Sequence, residues 1–452
     1  MSQLNEAIAR YHRILESEPY RDLSWVKTLQ QQMEAEHLSS GGRLLCPFLR
    51  PNFVTQKQYD TLVKAGEALM SAIDRMQKLA LASPALLARM QLLPAEKMLA
   101  AIDPGYDIPE VASKLDLQIN NGSLHVMQYN TDSPAGVAYS EGLSDIFYDC
   151  PPVVEFRRRY NLTRVGGKRP FLAALLKAYK QFSGAGKPSI AILEFRDPSG
   201  SSEYELFRDF FQKEGFPCEI ISPEQLEYRN GVLRAGSFEI NLIYRRISVQ
   251  EFLVKFSLSH PLVAAYRDRK VCVVNSFRSE LAQKRSMFSL LTDETLTAKF
   301  PPLERKAIRD HVPWTRLVKA GLTAHGTDQV NLLDFIHEHR ETLVLKPNDD
   351  SGDDPTFVGA SLDQAGWERA VRQAQRTPYV VQETVETARF LFPLLNYGHL
   401  EFKEMQVDVH PQVFLGKVSG CSSWVSSASG HSFSTSAGIA PTFIIDSKER
   451  AG

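Results

Sequence analysis

The sequence predicts an α/β protein, and two patterns along the chain support that class. A short apolar run, Ile190–Phe195, is followed by a polar loop, by the helical pattern Glu203–Glu214 and by a second apolar run, Phe216–Ile221. A strand, a helix and a second strand at this spacing indicate a βαβ unit with a parallel sheet. The first 100 residues instead show apolar side chains at helical spacing, as in Leu4, Ile8 and Tyr11. We therefore expect an α/β core preceded by a helical region.

Length and composition restrict the possibilities further. A chain of 452 residues is too long for one hydrophobic core, so several domains are expected. With 52 basic and 53 acidic residues the net charge is −1, which predicts no nucleic-acid partner. The five cysteines are scattered without short paired spacings, as in proteins of a reducing cytosol. Charges and prolines interrupt the most apolar stretch, 79–102, so we predict no membrane association and a cytoplasmic protein.

A polar β-hairpin is predicted between residues 114 and 130. Two alternating runs flank the turn signal Asn120-Asn121-Gly122. A two-residue turn would place Asp116 and Gln128 on opposite faces, whereas a three-residue loop with Gly122 in the left-handed region places them on one face. We predict the three-residue loop, which gathers an oxygen-rich set suited to Mg²⁺ and phosphate. That set consists of Lys114, Asp116, Gln128 and Asn130. The alternative is a solvated hairpin face.

The other predicted elements follow from apolar periodicity and turn residues. The helices are Tyr59–Leu81, Val137–Tyr148, 170–182, one opening at Ser222-Pro223-Glu224, Ala282–Leu291, a mostly polar stretch over about 303–340, and Trp367–Arg376. The strands are Glu239–Tyr244, Val271–Val274, Thr342–Lys346, Tyr379–Val385, Phe402–Val409, Val413–Val418 and Pro441–Ile445.

Two of these strands carry residues suited to a nucleotide. Lys346 ends one strand, where an interior lysine is costly unless it meets an anion. The strand Tyr379–Val385 would offer Gln382, Glu383 and main-chain groups to an adenine edge. The Ser/Gly loop 199–202 is a weaker anion-binding signal, and it leaves open plain small-molecule binding by the βαβ unit.

In the order of these motifs the sequence resembles the circularly permuted ATP-grasp proteins, the group that includes glutathionylspermidine synthetase-like ligases. The resemblance covers about residues 40–445 and places metal ligands before nucleotide lysines, the reverse of the usual ATP-grasp order. It rests on Leu49-Arg50-Pro51, Asp116, Gln128-Tyr129-Asn130, Asp132-Ser133-Pro134-Ala135-Gly136, Tyr244-Arg245-Arg246, Asn275 through Lys284, Lys346-Pro347, Gln382-Glu383-Thr384-Val385, Ser436-Ala437-Gly438 and Pro441-Thr442-Phe443.

The resemblance implies a circularly permuted ATP-grasp core, with ATP and Mg²⁺ as cofactors. It divides the chain into a helical region (1–100), a metal-site hairpin with helices (101–184) joined to a C-terminal sheet (396–452), a Rossmann-like domain (185–275) and a nucleotide-binding lobe (276–395). The implied ATP contacts are Lys284, Lys346, Gln382, Glu383 and Val385, and the implied Mg²⁺ ligands are Asp116, Gln128 and Asn130. Lys114 would face an acyl phosphate and Arg246 a carboxylate substrate or phosphate, although a structural ion pair explains Arg246 equally well.

The predicted function is that of an ADP-forming carboxylate–amine ligase, acting on an amino acid, a peptide or a polyamine-like amine. The family usually has arginine at Lys114, glutamate at Gln128, a glycine-rich loop in place of Asn348–Pro355, and an arginine near Ser422-Ser423-Trp424. Lysine lacks the bidentate fork of arginine, and glutamine removes one ligand charge. These departures favour a second prediction, a degenerate protein that binds nucleotide or peptide without turnover and acts as partner of a paralogous ligase.

Overall fold

A computed structural model describes residues 2–120, 123–132, 134–195, 202–349, 354–427 and 433–448, apart from the side chains of residues 120 and 202. The α-helices are α1 Gln3–Glu16, α2 Ser24–Ala35, α3 Gln56–Ala82, α4 Pro84–Arg89, α5 Pro94–Ala101, α6 Val137–Asp149, α7 Pro151–Phe156, α8 Lys168–Gln181, α9 Ser202–Lys213, α10 Val249–Lys255, α11 Pro261–Arg267, α12 Glu280–Gln283, α13 Ser286–Leu291, α14 Glu294–Thr297, α15 Pro302–His311, α16 Leu332–Glu338 and α17 Gln364–Ala374. The strands are β1 Ser39–Ser40, β2 Arg43–Leu44, β3 Asn52–Thr55, β4 Ala112–Asn120, β5 Ser123–Asn130, β6 Tyr160–Arg164, β7 Ile190–Leu193, β8 Cys218–Ile221, β9 Leu226–Arg229, β10 Val232–Ala235, β11 Phe238–Glu239, β12 Leu242–Arg245, β13 Cys272–Val274, β14 Thr315–Leu317, β15 Leu322–His325, β16 Asp328–Asn331, β17 Leu343–Pro347, β18 Phe357–Val358, β19 Tyr379–Glu383, β20 Arg389–Asn396, β21 His399–Phe414, β22 Lys417–Ser426 and β23 Ala437–Ser447.

The largest sheet takes strands from both ends of the sequence. Its order is β3-β23-β22-β21-β4-β5, with β20 paired to β21 and β6 paired to β23. We call it the large sheet. One face is apolar and carries buried side chains such as Leu115, Leu117 and Val409. Helix α3 approaches this face closely at Gly66, where a Cβ atom would lie 3.0 Å from Val418. The opposite face is therefore the one available for chemistry.

A parallel sheet confirms the α/β class. Its order is β13-β12-β7-β8, and all three of its pairings are parallel. Its residues Ile190, Ile243 and Val273 are buried, as expected for a sheet covered on both faces.

The helix predicted to open at Ser222 is wrong. The chain makes a three-residue 3₁₀ turn, Pro223–Gln225, and then an antiparallel sheet of order β11-β10-β9. Asn230 and Gly231, with φ of 53° and 76°, turn β9 into β10. An Asn-Gly pair favours such a two-residue hairpin turn because both positions require positive φ.

A second antiparallel sheet, which we call the small sheet, has the order β14-β19-β17-β18. Its buried side chains include Leu345 and Val381, which share a core with Trp367 of α17. The helical stretch predicted over 303–340 is wrong in its middle, because α15 ends at His311 and a β15–β16 hairpin precedes α16. Pro313 stops the helix and Gly326, at φ of 57°, makes the hairpin turn.

Within the part of the chain that the structure describes, none of the helices combines the length and apolar character needed to cross a lipid bilayer.

Candidate functional site

The structure places the predicted hairpin residues on one polar face of the large sheet. Strand β4 pairs with β5 so that Lys114 lies opposite Asn130, and Asp116 lies opposite Gln128. Because strand side chains alternate with period two, these four side chains share a face.

The three-residue loop that we predicted is wrong. Asn120 pairs with Ser123, which leaves two residues between the strands, and the pairing shifts by one residue between Asp116 and Leu117. This β-bulge at Met127 adds the residue that the loop was expected to supply. Asp116 and Gln128 therefore face each other for a different reason than the one predicted. The conformation expected of Gly122 lies outside the described residues.

Strand β21 adds residues to the polar face that the sequence analysis missed. Its pairing with β4 sets Asp408 opposite Gln118 and Gln412 opposite Lys114. His410, between them, places Nε2 3.4 Å from Asp116 Oδ1. Lys114 Nζ lies 3.3 Å from the same oxygen. Asp116 is thus held by an ammonium and an imidazole. The period-two pattern Asp408, His410, Gln412 was the available signal, but nothing in the sequence indicated that β21 would lie beside β4.

Three amide oxygens on this face suit a cation or a donor from a ligand. Gln118 Oε1, Asn130 Oδ1 and Gln412 Oε1 are buried, and none has a hydrogen-bond partner among the described residues. Buried polar atoms are nearly always satisfied in folded proteins, so these acceptors point to a missing partner. They share a sheet face with the carboxylate of Asp116, and amide and carboxylate oxygens are the ligands that Mg²⁺ prefers. Of the predicted ligands, Asp116 and Asn130 fit the metal chemically, whereas the side-chain oxygen of Gln128 accepts a hydrogen bond from Arg285.

Lys284 lies at a break between two short helices. The single helix predicted over Ala282–Leu291 is wrong, because Lys284 has extended backbone (φ −62°, ψ 130°) between α12 and α13. The break turns the side chain inward. Its ammonium lies 2.9 Å from Glu96 Oε1 and 2.9 Å from Glu280 Oε1, and it also contacts Asp349.

This cluster, which we call the lysine cage, is one of the most buried charged sites in the described structure. The side chains of Lys284 and Glu96 are 0% exposed, and that of Glu280 is 2% exposed. Burial alone would lower the pKa of Lys284, but Glu280, Asp349 and Glu96 raise this pKa above its ordinary value. Burial raises the pKa of Glu280, and Lys284 opposes that rise. An ATP contact by Lys284 stays a prediction, since in this conformation the ammonium contacts protein carboxylates.

Arg285, the next residue, connects the two sheets. Its Nη1 donates to the main-chain oxygens of Pro347 at 2.7 Å and of Asp349 at 2.9 Å. Its Nη2 donates to Gln128 Oε1 at 3.1 Å. One guanidinium therefore touches the end of β17 in the small sheet and the polar face of the large sheet. The sequence analysis did not identify this residue.

Two predicted nucleotide residues contact each other on the small sheet. Lys346 Nζ donates to Gln382 Oε1 at 2.8 Å, and Gln382 Nε2 donates to Thr315 Oγ1 at 3.0 Å. Gln382 is buried, whereas Lys346 is half-buried. These contacts fix the lysine above the sheet at the end of β17, where Arg285 also binds.

The other two predicted adenine contacts line a cavity of about 880 Å³. Glu383 and Val385 contribute to one wall, Ser123 and His125 from the hairpin contribute to another, and Trp314 lies beside them. Glu383 Oε1 lies 2.9 Å from His325 Nε2. The volume is that of a small-molecule pocket. Lys346 and Gln382 are absent from its described lining.

Arg246 is part of a buried ion pair. Its Nη2 lies 3.5 Å from Glu203 Oε2, and its Nη1 donates to the hydroxyl of Tyr244 at 3.1 Å and to the main chain of Pro134. Glu203 Oε1 also accepts hydrogen bonds from the main-chain N–H groups of Gly136 and Ala138 at the start of α6. The structure thus places Arg246 in the structural ion pair that was one of its two predicted roles. A substrate contact stays a prediction.

Several predicted loops fall partly outside the described residues. They are the Ser/Gly loop 199–202 up to residue 201, Ser133, residues 350–353 of the loop Asn348–Pro355, and residues 428–432 of the C-terminal Ser/Gly loop.

No family model matches this sequence, and no curated protein matches it. Among solved structures, the apo form of a glutathione synthetase-like effector from Globodera pallida matches with a TM-score of 0.58 and 13% identity, over 95% of this chain and 98% of that chain. A putative gamma-glutamylcysteine synthetase from Methylobacillus flagellatus gives a TM-score of 0.43 and 13% identity, over 84% and 85% of the two chains. A RimK domain ATP-grasp protein from Sphaerobacter thermophilus gives 0.30 and 17%, over 51% and 89%. The first of these matches shows that this chain shares the fold of the glutathione synthetase-like effector.

Proposed function

We propose that this protein is an ATP-dependent carboxylate–amine ligase with a circularly permuted ATP-grasp core. The observation that carries the proposal is the meeting of two polar surfaces at Arg285, with Lys346 on one and the Asp116 face on the other. The fold shared with a glutathione synthetase-like effector along nearly the whole chain supports it. The order of the elements supports the permutation, because β4 and β5 precede the small sheet in sequence while β21 to β23 complete the large sheet.

In this proposal the nucleotide lies between the two sheets. Lys346 binds its phosphates, and the cavity beside Glu383 and Val385 takes the adenine. Asp116, Gln128 and Asn130 would hold Mg²⁺, which neutralises charge on the transferring phosphoryl group when it is bound.

The acceptor side of the proposal involves two cations. Lys114 supplies positive charge beside Asp116, where an acyl phosphate would form. Arg246 supplies a second positive charge near the start of α6, where its Nη1 donates to the main-chain oxygen of Pro134. The substrates are a carboxylic acid and an amine of the amino acid, peptide or polyamine-like class.

An ADP-release assay with pooled amino acids, short peptides and polyamines tests the proposal. We expect amine-dependent ADP release from the wild type and at least a tenfold loss in Lys346→Ala, because a charge–phosphate contact is removed. Arg372→Ala is the matched control, since this arginine of α17 is 59% exposed and pairs only loosely with Glu368 at 3.9 Å. Its rate should equal that of the wild type. Equal rates in all three proteins would remove Lys346 from the site.

A second candidate function is nucleotide or peptide binding without turnover, in partnership with a paralogous ligase. The lysine cage favours this candidate, because Lys284 is surrounded by three carboxylates that would repel a triphosphate. Saturable ATP binding without ADP release for any amine or carboxylate would establish it over the ligase.

A further inference from the structure

We infer that Gln283 is a positioning residue for the proposed metal site, because it fixes the end of strand β5 directly after Asn130. It acts through the main chain of the two residues that follow Asn130, and it is not itself a metal ligand. This inference rests on the proposed function and deepens it. It gives a role to the segment 275–283, whose side chains and main chain hold the end of β5.

The contacts of Thr131, the residue after Asn130, are the first argument. Thr131 donates its main-chain N–H to Gln283 Oε1 at 2.8 Å and its hydroxyl to the main-chain oxygen of Ser279 at 2.9 Å. Its own main-chain oxygen accepts a hydrogen bond from the side-chain amide of Asn275. Three residues spaced four apart in the chain therefore hold the nitrogen, the hydroxyl and the carbonyl oxygen of one residue. Thr131 is 0% exposed, so its polar atoms depend on these protein partners.

Gln283 makes the contact that fixes the backbone beside Asn130. Its Oε1 accepts hydrogen bonds from the main-chain N–H groups of Thr131 at 2.8 Å and of Asp132 at 3.2 Å. Both N–H groups follow the last residue of β5, and the amide oxygen takes the place that a carbonyl group of a neighbouring strand has within a sheet. Without this oxygen, two donors of buried residues would lose their acceptor, and the backbone next to Asn130 would move to satisfy them.

Asn275 ties the same point to the other strand of the hairpin. Its Oδ1 accepts a hydrogen bond from Ala112 N at 2.9 Å, and its Nδ2 donates to the main-chain oxygen of Ala112. Ala112 is the first residue of β4, four residues before Asp116. Because the same amide also donates to Thr131, one buried side chain joins the open ends of both strands that carry the predicted metal ligands.

The orientation of Asn130 is what these contacts determine. Asn130 lies directly before Thr131, and its Oδ1 is buried without a hydrogen-bond partner among the described residues. Groups that orient a metal ligand without binding the metal typically change metal affinity about 10- to 100-fold when they are removed. We therefore expect the loss of the Gln283 oxygen to weaken metal binding, even though Gln283 lies outside the ligand set.

The test is a titration of the full chain with Mn²⁺, alone and with ADP, in which electron paramagnetic resonance measures the free ion. Mn²⁺ replaces Mg²⁺ because both ions suit carboxylate and carbonyl ligands. Gln283→Met keeps the length of the side chain without the acceptor and should bind Mn²⁺ about 10- to 100-fold more weakly than the wild type. Gln283→Glu keeps an acceptor oxygen and should restore most of the affinity. Gln212→Met is the matched control, because Gln212 also hydrogen-bonds a main-chain oxygen, that of Cys218 at 2.8 Å, beside the parallel sheet.

Thr131→Val is a second variant, which removes the hydroxyl bond to Ser279 and leaves the main-chain contacts of Gln283. It should weaken Mn²⁺ binding less than Gln283→Met does, and urea denaturation checks the fold of each variant. If Gln283→Met fails to fold, unchanged Mn²⁺ affinity in Thr131→Val overturns the inference.

Two further results would overturn the inference and leave the proposed metal site. One is equal Mn²⁺ affinity in the wild type and in folded Gln283→Met. The other is equally weak binding by Gln283→Met and Gln283→Glu, since the acceptor oxygen would then be irrelevant. Absence of Mn²⁺ binding by the wild type, with and without ADP, would overturn both the inference and the metal site of the proposed function.

Discussion

Replacing Lys284 with methionine tests whether this lysine stabilises the fold or serves as a nucleotide ligand. The substitution keeps the length of the side chain but removes the charge that faces Glu96 and Glu280, which are 0% and 2% exposed. Removing one partner of a buried ion pair typically costs about 3–5 kcal/mol, because the remaining charge is left uncompensated. The third carboxylate, Asp349, is 30% exposed and adds less, since solvent screens it. We therefore expect Lys284→Met to lower the free energy of unfolding by about 3–5 kcal/mol near neutral pH.

The pH dependence of this loss follows from Glu280. Burial raises its pKa above that of an ordinary carboxyl group, and Lys284 opposes the rise. The folded state therefore binds this proton more tightly than the unfolded state does. The stability that protonated Glu280 contributes is fully present below the pKa that this carboxyl group has in the unfolded state. It is lost as pH rises through the pKa that the group has in the folded state. Without Lys284 the pKa rises further, so the deficit of the variant should be larger at about pH 8 than at about pH 5.

Urea titrations at both pH values measure these quantities. Lys306→Ala is the control, because its ion pair with Asp310 is exposed (65% and 29%) and its loss should cost under about 1 kcal/mol. A loss in Lys284→Met no larger than in this control, with no dependence on pH, would refute the lysine cage as a stabilising cluster.

Three further predictions can be tested separately. Lys346→Ala should weaken ATP binding by about one to two orders of magnitude in calorimetry, because a charge–phosphate contact is lost, and unchanged affinity would exclude that contact. Burial raises the pKa of Glu110 to about 7, although the hydrogen bond from Gln77 acts to lower it. The free energy of unfolding of the wild type should therefore fall as pH rises through 7. In Glu110→Gln the midpoint of urea denaturation should change less between about pH 5 and pH 8 than it does in the wild type. All five cysteines are buried, and burial raises the pKa of Cys46, Cys150, Cys218 and Cys421 to about 12, so a thiol reagent at about pH 8 should label the protein only after denaturation. Labelling of the native protein would show that a thiol becomes accessible through opening.

Local periodicity predicted the elements whose signals lie within a few residues of each other. Helix α6 was expected at Val137–Tyr148 and spans Val137–Asp149, and β7 was expected at Ile190–Phe195 and spans Ile190–Leu193. The shared face of Asp116 and Gln128 was also predicted, although the structure reaches it through a bulge rather than a longer loop. A bulge and a loop residue change the register in the same way, so the sequence could not distinguish them.

The missed features depend on contacts between distant segments. The break at Lys284 occurs where the chain meets Glu96, Asp349 and the main chain of Asn348, none of which is local. His410 reaches Asp116 because β21 extends beyond the predicted strand Phe402–Val409 as one strand of 16 residues and lies beside β4. The predicted strand Val413–Val418 is wrong, because the chain turns there at Leu415 and Gly416, from β21 into β22. The Asn230-Gly231 turn was the exception, since its hairpin signal was present in the sequence but was passed over in favour of a helix.

Titration of Mg²⁺–ATP into the wild type and into Asp116→Ala, followed by an ADP-release assay with pooled amines, tests whether the protein binds and uses ATP between the two sheets. We expect saturable micromolar binding by the wild type, weaker binding by the variant and amine-dependent ADP release. Binding of nucleotide without release would favour the non-catalytic candidate. Absence of any ATP binding by the folded wild type would contradict the proposed site between the two sheets.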